Sequence, residues 1–138
     1  TIADKSEKDE FCDWTIESIR DIVDMFTAKF KKAYAEKVTD SMAKTPGFLD
    51  YYLNSILEDT AGCTGLELIR RTVGMANVKD ITLIPEENKR MRAERIIIVL
   101  AKDCIKNRMQ FKCGNDYVTA IKAAINNPDA EHRGMLFS

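Results

Sequence analysis

Residues 59–81 read DTAGCTGLELIRRTVGMANVKDI. Small residues cluster first, at Ala61, Gly62, Cys63 and Gly65. Leu66, Ile69 and Val73 then recur at intervals of three and four, and Arg70 and Arg71 interrupt that stripe. Such spacing marks one face of a helix, expected here from Leu66 to Gly74, where the glycine ends it. Two glycines three apart either end the preceding helix or admit another backbone at close range. At about 100° per residue, Leu66, Ile69 and Val73 share one side of the wheel. Arg70 falls at the edge of that stripe and Arg71 almost opposite. Glu67 precedes Arg71 by four residues, so a Glu67–Arg71 pair is expected. Arg70 has no such acid within reach. A guanidinium beside a core stripe needs an acceptor from elsewhere: a carboxylate, a phosphate or a sugar hydroxyl. Spacing alone favours the plainer alternative, in which both arginines are solvated or make ordinary salt bridges.

Outward from this block the chain keeps the helical period. Ile16, Ile19, Val23, Phe26, Phe30 and Tyr34 predict a helix over 15–34, beginning as early as Phe11 or Asp13. Lys37 to Lys44 suits a short helix or an irregular loop, and Pro46-Gly47 breaks the chain. A helix from Phe48 to about Thr60 would bury Leu49, Tyr52, Leu53, Ile56 and Leu57. Met75 to Leu83 reads as a connection. Pro85-Glu86-Glu87 opens a further helix, because proline suits the first helical position and acids favour the positive end of the dipole. That helix should run through Met109. Its centre, Ile96 to Leu100, has strand composition, but its charged flanks carry no turn signal, so helix is expected, buried on most sides. Cys113-Gly114-Asn115-Asp116 is a break and a helix start. Tyr117, Val118, Ile121, Ala124 and Ile125 carry a last helix ending before Asn127-Pro128. The tail is polar until Met135-Leu136-Phe137. The expectation is an all-α chain of five or six helices forming one domain over 1–138.

Composition narrows the function. The 138 residues are 45% apolar and 31% charged, which suits a folded chain with a real core. A net charge of −1 offers no global attraction to nucleic acid or to a membrane surface, and neither partner is expected. No apolar run approaches the roughly 18 residues of a membrane span. There is no signal-peptide core, and the missing initial Met fits a processed or truncated product or part of a longer chain. Cys12, Cys63, Cys104 and Cys113 form no CxxC pair, and His132 is the single histidine, so a zinc site is not expected. The cysteines read as reduced, mostly buried small residues of a cytoplasmic protein. Phosphate-cradling motifs such as GxxxxGK[ST] and GxGxxG are absent, as are a histidine-containing catalytic loop and an Asp-Phe-Gly metal motif. Residue types alone therefore do not make a complete enzyme. Asp50, Asp59 and Glu67 have no recognised metal spacing. The basic run Lys89, Arg90, Arg92 and Arg95 is diluted by Glu86, Glu87 and Glu94 and reads as a solvated helix face. Trp14 is expected in the core or in lobe packing, and Phe26, Phe30, Tyr51 and Tyr52 in the core.

The 59–81 block resembles the C-terminal region of S-methyl-5-thioribose kinases. Glu67 to Gly74 is its most specific part. Upstream the resemblance includes Phe26 and Phe30, Glu36-Lys37-Val38-Thr39-Asp40, Gly47-Phe48-Leu49, Tyr52-Leu53 and Asp59-Thr60. Downstream it includes Val78-Lys79-Asp80-Ile81 and Arg92-Ala93-Glu94-Arg95. It spans about Phe11 to Phe111 and fades after Tyr117. It implies the helical C-lobe segment of a protein-kinase-like fold related to choline and aminoglycoside kinases. It also implies transfer of the ATP γ-phosphate, with Mg2+, to the 1-hydroxyl of methylthioribose in methionine salvage. In that family an adjacent arginine pair on a C-lobe helix enters the active site. By position the pair is Arg70 and Arg71, which would hold ribose hydroxyls or the transferring phosphoryl group. The family often has a histidine soon after the pair; Met75-Ala76-Asn77 contains none. The resemblance places the ATP-binding lobe, catalytic aspartate and metal-binding acids upstream of Thr1, so no catalytic, cofactor or metal residue is expected in this segment. The partners it implies are the sugar, the N-terminal kinase lobe and a second copy. An exposed apolar surface is expected where the rest of such a kinase would dock. The alternatives are a free-standing helical interaction domain, or another small-molecule kinase of the same fold.

Overall fold

The computed structural model of the chain describes residues 2–73, 75 and 78–129, with side chains described from residue 5 onward. Gly74, Ala76, Asn77, His132 and the apolar end of the tail, Met135 to Phe137, lie outside the described residues. Among the described residues there are five α-helices: α1 (Ile2–Lys37), α2 (Phe48–Val73), α3 (Lys79–Thr82), α4 (Glu87–Lys106) and α5 (Gly114–Asn126). A single 3-10 turn, Arg108–Gln110, joins α4 to α5. Among the described residues there is no strand, and Ile96 to Leu100 lie in the middle of α4. The chain is all-α.

Two helices are longer than the apolar period indicates. α1 begins at Ile2, well before Phe11. Its early turns, KSEKDEFCDW, are exposed. Straight-chain Lys and Glu are good helix formers that need no apolar stripe, so the extension leaves no trace in the spacing. α2 runs unbroken from Phe48 to Val73, where separate helices were expected on either side of residues 61–65. The glycines do not end it. A Cβ built on Gly65 would lie 2.6 Å from the Ala101 carbonyl oxygen and 2.7 Å from Ile105 Cγ1. Gly65 is therefore where α2 and α4, the most extensively packed helix pair, approach closest. Gly62 meets only the Arg108 side chain, at 3.7 Å.

That approach decides which face of α2 is buried. Leu53, Leu57, Ala61 and Gly65 form the buried stripe, with Leu68 and Thr72 half-buried beyond them. Leu66 and Val73 remain 61% and 66% exposed. The expected stripe through Leu66, Ile69 and Val73 is thus not the core stripe. The small residues rather than the large ones face α4, because only they let the backbones come so close.

The core itself joins Ala61, Cys104, Phe111, Tyr117 and Ala120, with Ile19, Val23 and Leu100 packed against it. The Phe111 and Tyr117 rings lie 4.7 Å apart. α1 packs mainly on α5. A Cβ on Gly114 would lie 2.6 Å from Arg20 Cα, so only glycine fits at that crossing. The Gly114 amide donates to Asp24 Oδ1 at 2.8 Å, and Asp116 Oδ2 accepts from the Lys112 and Cys113 amides at 2.8 and 2.9 Å. These bonds occupy amide donors at and just before the first turn of α5, which would otherwise lack partners.

Several expected core residues are at the surface. Trp14 is 64% exposed, and Phe26, Tyr51 and Tyr52 are exposed too. Phe30 is half-buried and forms an aromatic ladder with Phe26, Tyr34 and Tyr52, which Phe48 extends. The ladder spans the α1–α2 turn rather than filling a core. Cys104 is buried, whereas Cys12, Cys63 and Cys113 are exposed free thiols, against the expectation that most would be buried. The basic run on α4 is more engaged than a purely solvated face. Lys89 pairs with Glu86 and Arg95 with Asp129, Arg90 lies 4.0 Å from Glu94, and Arg92 donates to the Ile125 carbonyl.

Candidate functional site

Arg70 and Arg71 occupy the last turn of α2, where cations are favoured by the negative end of the helix dipole. Consecutive residues diverge by about 100°, so the two guanidinium groups face different surroundings. Because the buried stripe runs through Ala61, Gly65, Leu68 and Thr72, the residue at its edge is Arg71, and Arg70 points away. Their expected positions are thus exchanged.

The expected Glu67–Arg71 ion pair is present but long, and Arg70 makes the shorter one. Arg70 Nε and Nη2 donate to Glu67 Oε2 and Oε1 at 2.8 and 2.6 Å, a two-pronged fork. Arg71 Nε stands 3.9 Å from Glu67 Oε1. On the wheel Glu67 lies between the two arginines, at i−3 from one and i−4 from the other, and both spacings permit contact. Only one guanidinium can face both carboxylate oxygens at once, and here it is Arg70. Its hydrogen bonds hold the Glu67 carboxyl below its usual range and raise the Arg70 guanidinium. Both side chains are about half exposed, so this pair contributes little to stability.

Arg71, 53% exposed in its side chain, is left with its fork largely unused. It lines a cleft of about 250 Å³ between the end of α2, α3 and α4. Leu68, Val78, Ile81 and Ile97 supply apolar walls, and Asp80 supplies a carboxylate. Thr72 also lines the cleft, but its hydroxyl donates to the Leu68 carbonyl at 2.8 Å. The Val78 amide approaches the Arg71 carbonyl at 3.4 Å and turns the chain back so that α3 flanks the end of α2. Asp80 was visible in the sequence only as one letter of the 78–81 match. Its place in the same cleft as Arg71 depends on that reversal.

The sequence is similar over about two thirds to three quarters of its length to curated methylthioribose kinases. The enzyme of Bacillus pumilus is 29% identical over 100 residues, covering 72% of this chain and 25% of its own length. That of Geobacillus thermodenitrificans is 32% identical over 93 residues, covering 67% and 24%. That of Erwinia tasmaniensis is 36% identical over 90 residues, covering 65% and 23%. The chain is related to the methylthioribose kinases. It spans about a quarter of the length of these relatives. No family model matches the sequence, and no solved structure matches it. The all-α architecture agrees with a helical C-lobe segment of a methylthioribose kinase.

Among the hollows elsewhere, two are larger than this cleft and touch α2. One of about 340 Å³ separates α1 from α2 and is lined by apolar side chains with Thr60, Thr64 and Tyr117. The Tyr117 hydroxyl is buried without a hydrogen-bond partner, although the Thr64 hydroxyl, which donates to the Thr60 carbonyl, lines the same hollow. Burial first, then the nearby Cys104 and Asp116, push its pKa up to about 12. The other hollow, about 390 Å³, sits at the α1–α2 turn around Pro46 and Gly47. Neither contains Arg70 or Arg71. Among the described residues no three His, Cys, Asp or Glu side chains are grouped so that they could hold a metal ion. No helix of the described residues is long and apolar enough to cross a membrane.

Proposed function

We propose that this chain is the substrate-side C-terminal segment of a cytoplasmic kinase that moves the γ-phosphate of ATP to the 1-hydroxyl of methylthioribose in methionine salvage. The observation that carries the reading is the largely unused Arg71 fork in a cleft, on the one block where the sequence resembles the family most specifically. Arg71 reaches the sugar directly, while Arg70 keeps the Glu67 carboxylate occupied and so leaves the Arg71 donors available. A guanidinium held in place adds binding and orientation, which is most of what a phosphoryl-transfer site requires. ATP, Mg2+ and the group that takes the hydroxyl proton belong to the rest of the protein.

The test is steady-state kinetics of the full-length enzyme. Arg71→Ala should lower kcat/KM for methylthioribose by about 10- to 100-fold, the worth of one charged hydrogen bond. Arg70→Ala should cost less. Wild-type turnover in the Arg71 variant removes the site.

A second reading is a helical interaction domain without catalysis. Phe11, Trp14, Ile22, Met25 and Phe26 form an exposed apolar band along α1, which suits a partner surface in that reading and the docking of the rest of the kinase in the first. The intact mass of the natural protein separates the two readings: a product no longer than this segment supports the interaction domain.

A further inference from the structure

Arg71 and Asp80 carry opposite charges and line the same small cleft. Among the described residues no ion pair joins them, and Asp80 has no hydrogen-bond or salt-bridge partner. Opposite charges that share a cleft without touching leave a gap that a polar group can bridge. The Arg71 side offers N–H donors only, and the Asp80 side acceptors only. A hydroxyl suits such a gap because it accepts from the guanidinium and donates to the carboxylate at once. A phosphate suits it less, because its negative charge would meet the like charge of the Asp80 carboxylate. Leu68, Val78, Ile81 and Ile97, with Thr72, form the rest of the described lining, and the apolar four suit the carbon face of a small ring or an apolar substituent.

Resting on the kinase reading above, we infer that Asp80 is a second sugar-contacting residue, and that the Arg71–Asp80 cleft selects a neutral polyol by its hydroxyls and rejects anionic ligands. Of the two roles open to the arginine pair, holding hydroxyls or holding the phosphoryl group, the facing carboxylate assigns Arg71 to the first.

The experiment is kinetics of the full-length enzyme carrying Asp80→Asn, a change of charge with little change of shape at an exposed, unpartnered side chain. KM for the sugar should rise about tenfold, as expected for a weakened charged hydrogen bond, with kcat and the KM for ATP nearly unchanged. Inhibition by inorganic phosphate, competitive with the sugar, should strengthen several-fold once the carboxylate is neutral. An unchanged sugar KM together with unchanged phosphate inhibition overturns the inference; if Arg71→Ala still impairs activity, the Arg71 site survives that failure. A fall in kcat at constant KM also overturns it, because Asp80 would then act in the chemical step rather than in sugar binding.

Discussion

Replacing Gly65 by alanine sets two effects of known sign against each other. In a helix interior alanine is favoured over glycine by about 1 kcal/mol, so an unpacked Gly65 would be improved by the change. The added methyl would, however, sit 2.6 Å from the Ala101 carbonyl oxygen, 2.7 Å from Ile105 Cγ1 and 3.1 Å from Cys104 Cβ. The closest of these is backbone, so relief requires α2 and α4 to separate along their most extensive contact. Overpacking of a close-packed site costs typically 1–3 kcal/mol, and a backbone clash belongs near the upper end. The net expectation is a loss of about 2 kcal/mol. Gly62→Ala is the control, since its methyl would meet only Arg108 Cδ, at 3.7 Å. There the propensity gain stands alone, and stability should rise by up to about 1 kcal/mol. Urea unfolding followed by far-ultraviolet circular dichroism measures both. Thermal midpoints should move in opposite directions, by roughly 3–5 °C per kcal/mol for a chain of this size. A Gly65→Ala protein as stable as the parent would refute the account of the α2–α4 crossing.

Two further outcomes follow from the electrostatics. Tyr117, 6% exposed with an unpartnered hydroxyl, should tolerate Tyr117→Phe at neutral pH with no loss, or with a gain of up to about 1 kcal/mol. Its pKa in the fold is raised to about 12 from an ordinary 10.0, so the neutral phenol is favoured by folding. That contribution is complete below pH 10 and fades as pH rises through about 12. A stability–pH profile of the parent should therefore fall more steeply over that range than that of Tyr117→Phe. For Glu67, whose carboxyl is held low chiefly by its hydrogen bonds from Arg70, carboxyl NMR titration should find an acid midpoint below the ordinary range, returning upward in Arg70→Ala. Glu67 is the depressed case, so its contribution is present above the ordinary carboxylate pKa and is lost as pH falls through the lowered one. An unshifted Glu67 in the parent would contradict the fork.

The legible parts of the fold are those whose signal is local. Ile16, Ile19, Val23, Phe30 and Tyr34 mark the covered side of α1, and each is half-buried. Leu53 and Leu57 mark the covered side of α2. Val99 in the β-branched run lies in a helix, as its charged flanks suggest. The misread parts depend on distance in space. Phe26 and Tyr52 have the right type and spacing for a core but lie at the rim of the α1–α2 contact, where the described helices cover them only in part. Leu66 and Val73 lost the core face of α2 to Ala61 and Gly65, which contribute almost no side chain but permit contact with α4. In the site, the Arg70-Arg71 pair was visible as an anomaly on an apolar helix. Which arginine faces the cleft, and that Asp80 faces it too, was not.

By itself the sequence determined that the chain is helical, where most helices lie, and that it is related to methylthioribose kinases, because period, breakers and motif are properties of neighbouring residues. Only the tertiary structure decided that residues 48–73 are one helix, which of its faces is buried, and which guanidinium is left for a ligand. The physical reason is a single close approach. At Gly65 the missing side chain lets α4 press against α2, and that contact sets the rotation of α2 and with it the direction of both arginines.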